Sequence, residues 1–242
     1  MPEFLTFALY APIASFGAPA VGERRGSFDR PARSGVLGLI GACLGLDRCD
    51  EEGQTALVSG YGLGLRVEAS GGLLADYHTA QMPPARRGRR FATRAEELGD
   101  KNDLATVLSR RDYRSDAWHL GVVWAEPGAR WPLAELATAM DNPAFTPSLG
   151  RKACPLGLPL APRLMTAAGP VEALAERAVS GPERAMRDIL RVRLNETPIV
   201  AMDANAWSNH HRRLRIERRR DAPLSRPRWQ FGLRDEIVVA AS

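Results

Sequence analysis

Three short apolar segments in the first 125 residues have the composition of buried β-strands. Residues 4–10 (FLTFALY), 60–67 (GYGLGLRV) and 117–125 (AWHLGVVWA) are rich in aromatic and aliphatic side chains, which favour a pleated, packed surface. The glycines of the second segment allow another backbone to approach closely. These segments predict that a β-sheet forms the core of the chain.

The segments between these strands indicate how the sheet is built. Residues 35–46 are apolar and glycine-rich and predict a helix with Ser34 as its N-cap and Asp47 just beyond its end, and residues 132–140 predict a second helix. A further strand is expected after Pro147. The elements then follow the order strand, helix, strand, strand, helix, strand. This is the order of the βαββαβ ferredoxin-like unit, which is also the scaffold of RNA-recognition domains. We therefore expect an α+β fold of this ferredoxin-like (RRM-like) type.

A long polar segment interrupts this unit between its second and third strands. Residues 80–111 are rich in arginine, contain Pro83-Pro84 and show little apolar periodicity. Segments of this length without a core signal are usually functional or disordered. Four arginines surround Gly88, namely Arg86, Arg87, Arg89 and Arg90. They fit either a solvated loop or the tip of an arm that grips a phosphodiester backbone.

The length of the chain, 242 residues, suits one large domain or two small ones. We expect a first domain over residues 1–165 and a smaller basic extension, partly helical and partly β, over residues 166–242. The longest apolar run, residues 36–46, is far shorter than the roughly 20 residues that span a bilayer, so no membrane partner is expected. Three cysteines without a Cys-x-x-Cys spacing predict neither a disulfide framework nor a zinc site, and this usage fits a cytoplasmic protein.

Basic side chains are concentrated in the C-terminal third. Residues 1–150 carry 16 basic and 18 acidic side chains, whereas residues 151–242 carry 17 basic and 10 acidic ones. All but two of the basic residues are arginines, a bias to which a GC-rich genome contributes. Arginine binds phosphate with two parallel hydrogen bonds and stacks on bases. A basic region in a chain of net charge +5 therefore indicates a nucleic-acid partner.

The motifs of nucleotide-dependent and metal-dependent enzymes are absent from the sequence. Gly60-x-Gly62-x-Gly64 lacks the spacing of a dinucleotide-binding loop, and no phosphate-loop motif occurs. The four histidines, at positions 78, 119, 210 and 211, form no H-E-x-x-H or related pattern. No carboxylate pair has a spacing that singles it out. We expect no metal, no cofactor and no catalytic residue.

Several short clusters combine arginine with hydroxyl or aromatic side chains. Arg33-Ser34 lies at the start of the first predicted helix, where free N–H groups favour an anion; a simple N-cap beside a solvated arginine explains the pair equally well. Asp76-Tyr77-His78-Thr79 borders the polar insertion and also fits a packed turn. Arg110-Arg111-Asp112-Tyr113 closes that insertion, and Arg151-Lys152 places two cations on a turn that starts with glycine. Residues 212–220 add six arginines, which fit either a solvated strand pair or a basic stripe.

Five segments, in this order and spacing, resemble the CasD family of type I-E CRISPR-associated proteins, which belong to the repeat-associated mysterious protein superfamily. The segments are residues 9–17 (LYAPIASFG), 31–45 (PARSGVLGLIGACLG), 76–79 (DYHT), 111–117 (RDYRSDA) and 149–156 (LGRKACPL). The resemblance extends from residue 4 to about residue 162 and is thin beyond it, apart from Trp229-Gln230-Phe231. Each motif is weak alone, but their combination is specific.

The resemblance implies a ferredoxin-like domain with a protruding thumb at about residues 80–110. It also implies a non-catalytic subunit of Cascade, the RNA-guided surveillance complex that recognises foreign DNA in antiviral defence. In that complex the subunit would bind the 5′ handle of the CRISPR RNA, cap the filament of CasC subunits and lie beside CasA, with target DNA nearby. The thumb would fold over the RNA and kink it at the junction of handle and spacer.

The resemblance and the residue patterns together assign RNA contacts to this chain. The residues are Phe16, Arg33, Ser34, Tyr77, His78, Arg86, Arg87, Arg89, Arg90, Arg110, Arg111, Tyr113, Arg151 and Lys152. Phe16 stands where the family usually has tryptophan, so a stacking face is kept and an indole donor is lost. Ala32 stands where threonine is common, and one hydroxyl is therefore missing.

Two other functions stay open at this point. Some relatives in type I-C systems cut repeat RNA without a metal, and this chain could be such an endoribonuclease. That chemistry needs a base near the attacking 2′-OH and a cation near the scissile phosphate, and Tyr77-His78 with a nearby arginine could supply them. Neither lysine has a histidine neighbour in the sequence. The third possibility is a basic DNA-binding domain outside CRISPR biology.

Overall fold

One sheet of nine strands forms the centre of the part of the chain that the structure describes. The computed structural model describes residues 1–18, 20, 22–84, 90–190, 194–206 and 211–241. The strands in these residues are β1 (Glu3–Ala14), β2 (Arg24–Arg25), β3 (Tyr61–Ala69), β4 (Gly72–Met82), β5 (Ala105–Ala125), β6 (Arg163–Thr166), β7 (Ile199–Asp203), β8 (Arg213–Ser225) and β9 (Gln230–Ala240). The α-helices in the same residues are α1 (Arg33–Cys43), α2 (Glu51–Gly60), α3 (Arg94–Glu97), α4 (Leu133–Asp141), α5 (Pro170–Glu176) and α6 (Gly181–Leu190). None of the helices in this described part of the chain is long and apolar enough to cross a membrane.

Antiparallel pairing dominates the sheet, whose strand order is β6, β1, β5, β3, β7, β9, β8. β4 pairs antiparallel with β5, and the two-residue strand β2 pairs with β5 in parallel. β7 pairs with β3, so the C-terminal strands extend the same sheet. The expected mixture of helices and strands is confirmed, in the form of one large antiparallel sheet with helices.

Both faces of β1 are covered, which explains why residues 4–10 form a nearly continuous apolar run. Alternate residues of a strand point to opposite faces of the sheet. Leu5 and Leu9 lie in one hydrophobic cluster, together with residues of α1 and α4. Phe4 and Ala8 lie in a second cluster, together with residues of α5 and of the C-terminal strands. The sheet therefore separates two packed layers, and each face of β1 belongs to one of them.

The polar insertion lies at the far end of a two-stranded arm. β4 pairs with the first half of β5, from Gly72 opposite Ser115 to Met82 opposite Ala105; we name residues 72–116 the arm. Neither hydrophobic cluster contains a described residue of the arm. β4 was not predicted from the sequence because its side chains are exposed at almost every position, which removes the alternation on which strand prediction depends.

The start of α1 differs from the prediction. Ser34 is not the N-cap, because α1 begins at Arg33, and Ala32 occupies the N-cap position without a side-chain hydrogen bond. A carboxylate of β8 takes over the capping role, since the backbone N–H of Arg33 donates to Asp221 Oδ2 at 2.9 Å. The two residues are 188 positions apart, so no local pattern announces this cap.

Buried ion pairs join the β8–β9 hairpin to the rest of the sheet. Arg234 donates hydrogen bonds to Asp221, Asp203 and Glu236. Arg30, in the segment between β2 and α1, also pairs with Glu236. Buried charges are tolerated where each of them has several charged hydrogen-bond partners. Part of the arginine excess of the C-terminal third therefore serves the interior of the protein.

Candidate nucleic-acid interface

The base of the arm carries cations next to an exposed aromatic ring. β2 places Arg24 opposite Arg110 and Arg25 opposite Arg111. β4 places Tyr77 opposite Arg110 on the other side of β5, and 63% of Tyr77 is exposed. Because residues directly opposite one another share a face of a sheet, Arg24, Arg110 and Tyr77 form one surface.

Asp112 holds two of these cations in position. Its side chain is 1% exposed and accepts hydrogen bonds from Arg24 at 3.0 Å and from Arg110 at 3.1 Å. Burial raises the pKa of the Asp112 carboxyl, but the hydrogen bonds and charges of the two arginines outweigh it, so that the pKa lies below its usual value. The carboxylate is ionised at neutral pH, and it fixes both guanidinium groups at the surface.

The opposite face of the arm carries a second group of predicted residues. Arg111 and Tyr113 alternate with Arg110 and Asp112 along β5, so they point to the other face. The guanidinium group of Arg151 stacks over the Tyr113 ring, with 4.4 Å between its Cζ atom and the ring centroid. This contact joins the arm to the loop that follows α4.

A histidine–aspartate pair lies on this second face. His78 Nε2 and the Asp76 carboxylate are hydrogen-bonded, and both side chains are about half exposed. Across the strand pair, Asp76 lies opposite Arg111 and His78 lies opposite Ser109. The alternative of a packed turn at residues 76–79 is wrong, because these residues lie within β4. In the part of the chain that the structure describes, no group of three or more His, Cys, Asp or Glu could hold a metal ion.

A glycine allows the loop of Arg151 to approach β1. Gly150 has a φ of +94°, and a Cβ at this position would lie 1.8 Å from the backbone oxygen of Ser15. The N–H group of Ser15 donates to the Leu149 oxygen at 3.0 Å. Only glycine combines this backbone conformation with so close an approach. Lys152, the other predicted cation of the loop, is exposed.

A cleft of about 950 Å³ lies between α1, the segment that follows β1 and the tip of the β8–β9 hairpin. Residues of α1, among them Ser34 and Gly35, form one wall. The charged side chains that line the cleft are Arg219, Arg220, Asp221 and Arg226, and the aromatic ones include Phe28 and Trp229. The cleft is therefore apolar and aromatic in part, with several cations at its walls.

Phe16 lies in the wall of this cleft and is 3% exposed. Its ring packs edge-to-face against His119, with 5.3 Å between the ring centroids. Burial lowers the pKa of His119 to about 4, and the hydrogen bond with the Asp29 oxygen only partly opposes this effect. His119 is therefore neutral at physiological pH. Phe16 is a packing residue in this position, and its contact with RNA stays a prediction.

Arg33 lies inside the protein. Its guanidinium group donates to Asp203 Oδ2 at 2.9 Å and to the backbone oxygens of Val58 and Tyr61 at 2.9 and 2.7 Å. The first turn of α1 is already bonded to the Asp221 carboxylate, so it does not offer the open anion site that the local sequence suggests. A contact between Arg33 and RNA stays a prediction, and the burial of the side chain does not favour it.

The structure brings most of the other predicted residues to the base of the arm. These residues are Tyr77, His78, Arg110, Arg111, Tyr113 and Arg151. Ser34 lines the cleft, and Arg90 is exposed near the end of the arm. Arg86, Arg87 and Arg89 lie outside the described residues.

Sequence reasoning missed the contributions of β2 and of the turn of the β8–β9 hairpin. Arg24 and Arg25 lie in a segment whose glycine and proline content predicts a loop, and only pairing with β5 brings them to the arm. Arg226 and Trp229 reach the cleft through the turn of the hairpin. The one available signal was the motif at residues 229–231 beside basic residues, since aromatic rings interleaved with cations are typical of nucleic-acid surfaces.

Cations and exposed rings on an antiparallel sheet are typical of nucleic-acid-binding surfaces. The family described as CRISPR-associated protein (Cas_Cas5) matches residues 4–237, which is nearly the whole chain. The chain belongs to this family of CRISPR-associated proteins.

Similar proteins of known identity support the assignment of the chain to this family. The CRISPR system Cascade subunit CasD of Escherichia coli (strain K12) is 33% identical over 184 residues, which are 72% of this chain and 76% of that protein. A solved chain described as a CRISPR RNA-guided surveillance complex has the same fold, with a TM-score of 0.61, 23% identity and coverage of 98% of this chain and 89% of that one. A second, a crystal structure of a Cas protein, has a TM-score of 0.59, 22% identity and coverage of 98% and 94%. The resemblance to the CasD family is confirmed.

Proposed function

We propose that this chain is a non-catalytic subunit of a type I-E Cascade surveillance complex and that it binds the 5′ handle of the CRISPR RNA. The observation that carries the proposal is the base of the arm, where cations held by Asp112 lie beside the exposed ring of Tyr77. Guanidinium groups bind phosphates, and aromatic faces stack on unpaired bases. The relationship to CasD supplies the biological setting, because that protein is a Cascade subunit.

The arrangement of the sheet supports this assignment. β6, β1, β5 and β3 lie side by side in the order of a βαββαβ ferredoxin-like sheet, with α1 following β1 and α4 following β5. We interpret residues 1–165 as the ferredoxin-like domain and the arm as the thumb of the family. Residues 166–242 are then the extension that adds β7, β8 and β9 to the sheet. The thumb closes over an RNA strand that lies along its base.

Other subunits complete the site in this proposal. The chain caps the filament of CasC subunits and lies beside CasA, with CRISPR RNA as its ligand and target DNA nearby. It acts in the cytoplasm and supports RNA-guided recognition of foreign DNA in antiviral defence. No group of the chain has to perform chemistry, because the handle is held and not cut.

Two substitutions at the base of the arm separate charge from stacking. Arg110→Gln should lower the magnitude of the slope of log K against log salt by about 0.7, because one phosphate contact on a single strand is lost. Tyr77→Ala should weaken binding by roughly 1–3 kcal/mol without changing that slope, because a stacked base is lost. The measurement is fluorescence anisotropy of the purified full-length chain with a labelled RNA that carries the handle of its own CRISPR repeat, titrated over a series of KCl concentrations.

The matched control for charge is Arg184→Gln, since Arg184 is exposed on α6, outside the arm and the cleft. It should leave the salt slope unchanged, and RNA with a scrambled handle should bind more weakly than the native sequence. If Arg184→Gln has the same effect as Arg110→Gln, or if the handle sequence makes no difference, the proposed site is wrong.

A second candidate function is metal-independent cleavage of CRISPR repeat RNA, and the His78–Asp76 pair is the observation that favours it. Asp76 would orient the imidazole, His78 would accept the proton of the attacking 2′-OH, and Arg111 would stabilise the phosphate. Incubation of repeat RNA with the chain in EDTA distinguishes the two functions. Intact RNA agrees with the holding role, whereas cleavage at one position that His78→Ala abolishes would replace it.

A further inference from the structure

The cleft between α1 and the β8–β9 hairpin carries positive charge that the arm does not account for. Three of its charged lining residues, Arg219, Arg220 and Arg226, are cations, and Asp221 is the acidic one. The Asp221 carboxylate already accepts hydrogen bonds from Arg234 at 2.6 and 3.0 Å. The cleft therefore attracts an anion.

Two arginines of the cleft wall each have a buried hydrogen-bond donor without an acceptor. Among the described residues, Arg219 Nη2 and Arg226 Nε are buried nitrogen atoms without a hydrogen-bond partner. The side chain of Arg219 is only 6% exposed, and its other nitrogen atoms lie at 3.4 Å from Glu236 and 3.7 Å from Asp221. A buried donor without an acceptor is unfavourable, and an anionic oxygen relieves this cost most effectively.

Aromatic rings stand beside these donors. The guanidinium group of Arg219 lies over the Phe28 ring, 4.8 Å from its centroid. Trp229, at the tip of the hairpin, is 59% exposed, and Arg48 lies over its ring at 4.3 Å. The φ of Trp229 is +57°, a conformation that residues with side chains adopt at a cost and that is concentrated at ligand sites.

The N-terminus of α1 does not supply the anion site, because the Arg33 N–H group is bonded to Asp221. The lining of the cleft includes arginines and aromatic residues. Donors of this kind suit the oxygens of a phosphate, and the rings suit the face of a base. A single nucleotide combines both features.

We infer that the cleft binds one unpaired nucleotide of a single-stranded RNA. Arg219 and Arg226 hold its phosphate, and Trp229 and Phe28 contact its base. The inference rests on the proposed function in one respect, namely that the chain binds single-stranded RNA. The wall of the cleft contacts the arm, since the Phe28 backbone oxygen accepts a hydrogen bond from Arg114 of the arm at 3.0 Å. The arginine-rich C-terminal hairpin thereby holds the RNA at a second point.

Gly35 offers a test that leaves the fold intact. It is an exposed residue of the first turn of α1 in the wall of the cleft, and a Cβ added there meets no atom within 4 Å. Gly35→Glu places a carboxylate in the cleft, while acidic residues in the first turn favour a helix. Gly35→Gln adds the same bulk without the charge. Gly181→Glu is the matched control, because it adds the same charge at the start of α6, where a Cβ also meets nothing within 4 Å.

The measurement is the affinity of the full-length chain for a 3′-labelled RNA with the handle sequence of its own repeat, with thermal unfolding as the check of folding. We expect Gly35→Glu to weaken binding by about tenfold or more, which corresponds to about 1.4 kcal/mol. Gly35→Gln should have a smaller effect, and Gly181→Glu should leave the affinity nearly unchanged. Equal affinities of Gly35→Glu and Gly181→Glu would overturn the inference.

Photocrosslinking locates the nucleotide. RNAs with 4-thiouridine at each handle position in turn are irradiated with the chain, and the adducts are mapped by mass spectrometry. One position should crosslink to the peptide that contains Trp229, and Gly35→Glu should abolish that crosslink. Crosslinks confined to the arm would contradict the inference.

The arm variants separate this inference from the proposed function. If Arg110→Gln and Tyr77→Ala leave binding unchanged while Gly35→Glu abolishes it, the arm is not the handle site and the cleft is. If the arm variants weaken binding and Gly35→Glu does not, the inference about the cleft fails alone. If none of the variants changes the affinity, both fail.

Discussion

Arginine has two distinct uses in this protein, and burial separates them. Arg30 and Arg33 are buried, and their guanidinium groups are bonded to carboxylates or carbonyls of the chain itself. Arg25 and Arg111 are exposed on neighbouring strands at the base of the arm. An arginine-rich sequence is therefore not in itself a measure of nucleic-acid-binding surface, because the fold decides which guanidinium groups meet solvent.

His119 makes the free energy of unfolding depend on pH. Its pKa is lowered to about 4 in the folded chain by burial, whereas an unperturbed histidine has a pKa of about 6.5. Between these values the unfolded chain takes up a proton that the folded chain does not. The stability that depends on neutral His119 is therefore lost as the pH falls from about 6.5 to about 4, by up to about 3 kcal/mol.

Urea unfolding followed by circular dichroism at a series of pH values measures this effect. We expect the free energy of unfolding to fall over that range in the unmodified chain and to fall much less in His119→Gln. His78→Gln changes an exposed histidine of the arm and should keep the full dependence. The same pH profile for the unmodified chain and for His119→Gln would show that the buried histidine is not the cause.

At the level of elements, one part of β5 is buried in the core and another part is exposed to solvent. Residues 117–123 are buried in the core, whereas residues 105–107 and 110–111 are exposed on the arm. The exposed part is held by its backbone pairing with β4 and by cross-strand side-chain pairs. The arm is thus a surface feature whose far end can be changed without removing a residue from either hydrophobic cluster.

Replacement of residues 83–104 by Asn-Gly should shorten the arm and preserve the fold. Met82 and Ala105 are already paired, and Asn-Gly forms a two-residue hairpin turn. We expect a nearly unchanged melting temperature but a weaker RNA affinity with a smaller salt slope, because the removed segment carries several cations. These cations include Arg86, Arg87, Arg89 and Arg90.

The matched control keeps the length of the arm and changes those four arginines to glutamine. Circular dichroism melting and anisotropy titrations in KCl measure both variants. A loss of affinity shared by the two assigns the effect to charge, whereas a loss in the shortened arm alone assigns it to length. If the shortened arm binds RNA as tightly as the full one, the far end of the arm does not contact RNA.

At the level of the whole molecule, the C-terminal hairpin is part of the same sheet as the N-terminal half. β7 pairs with β3, and β9 carries Glu236, which binds Arg30 from the other end of the sequence. Asp203 of β7 binds Arg33 of α1. Backbone pairing and ion pairs thus connect segments that lie far apart in the chain, and they place the hairpin beside the cleft.

Arg234→Met should test how strongly these ion pairs hold the molecule together. The substitution leaves three carboxylates, those of Asp203, Asp221 and Glu236, without their shared partner. We expect a loss of about 3–5 kcal/mol in the free energy of unfolding, as is typical when one member of a buried charge network is removed. Arg228→Met, at an exposed position next to the same hairpin turn, should change it by less than about 0.5 kcal/mol. Urea unfolding of both variants gives the comparison, and equal effects would mean that the network contributes little.

The elements that could be predicted are those with a packed face. The strand at residues 4–10, the helix after residue 34 and the helix near residues 132–140 all lie close to their observed positions, because burial on a sheet leaves an apolar pattern in the sequence. β4 leaves no such pattern, and β8 interleaves the buried Arg219 with arginines that are exposed. Their strand character follows from pairing partners, not from local composition.

Local composition and contiguous motifs were enough to establish the mixture of helices and strands, the family and the presence of a basic surface, because these features depend on neighbouring residues in the chain. The tertiary structure decided which arginines belong to that surface. It turned Arg33 inward to Asp203, brought Arg24 beside Arg110, and placed Arg226 and Trp229 across a cleft from α1. The physical reason is that the role of a cation depends on whether a carboxylate from a distant strand or the solvent surrounds it, and only the folded chain creates those neighbours.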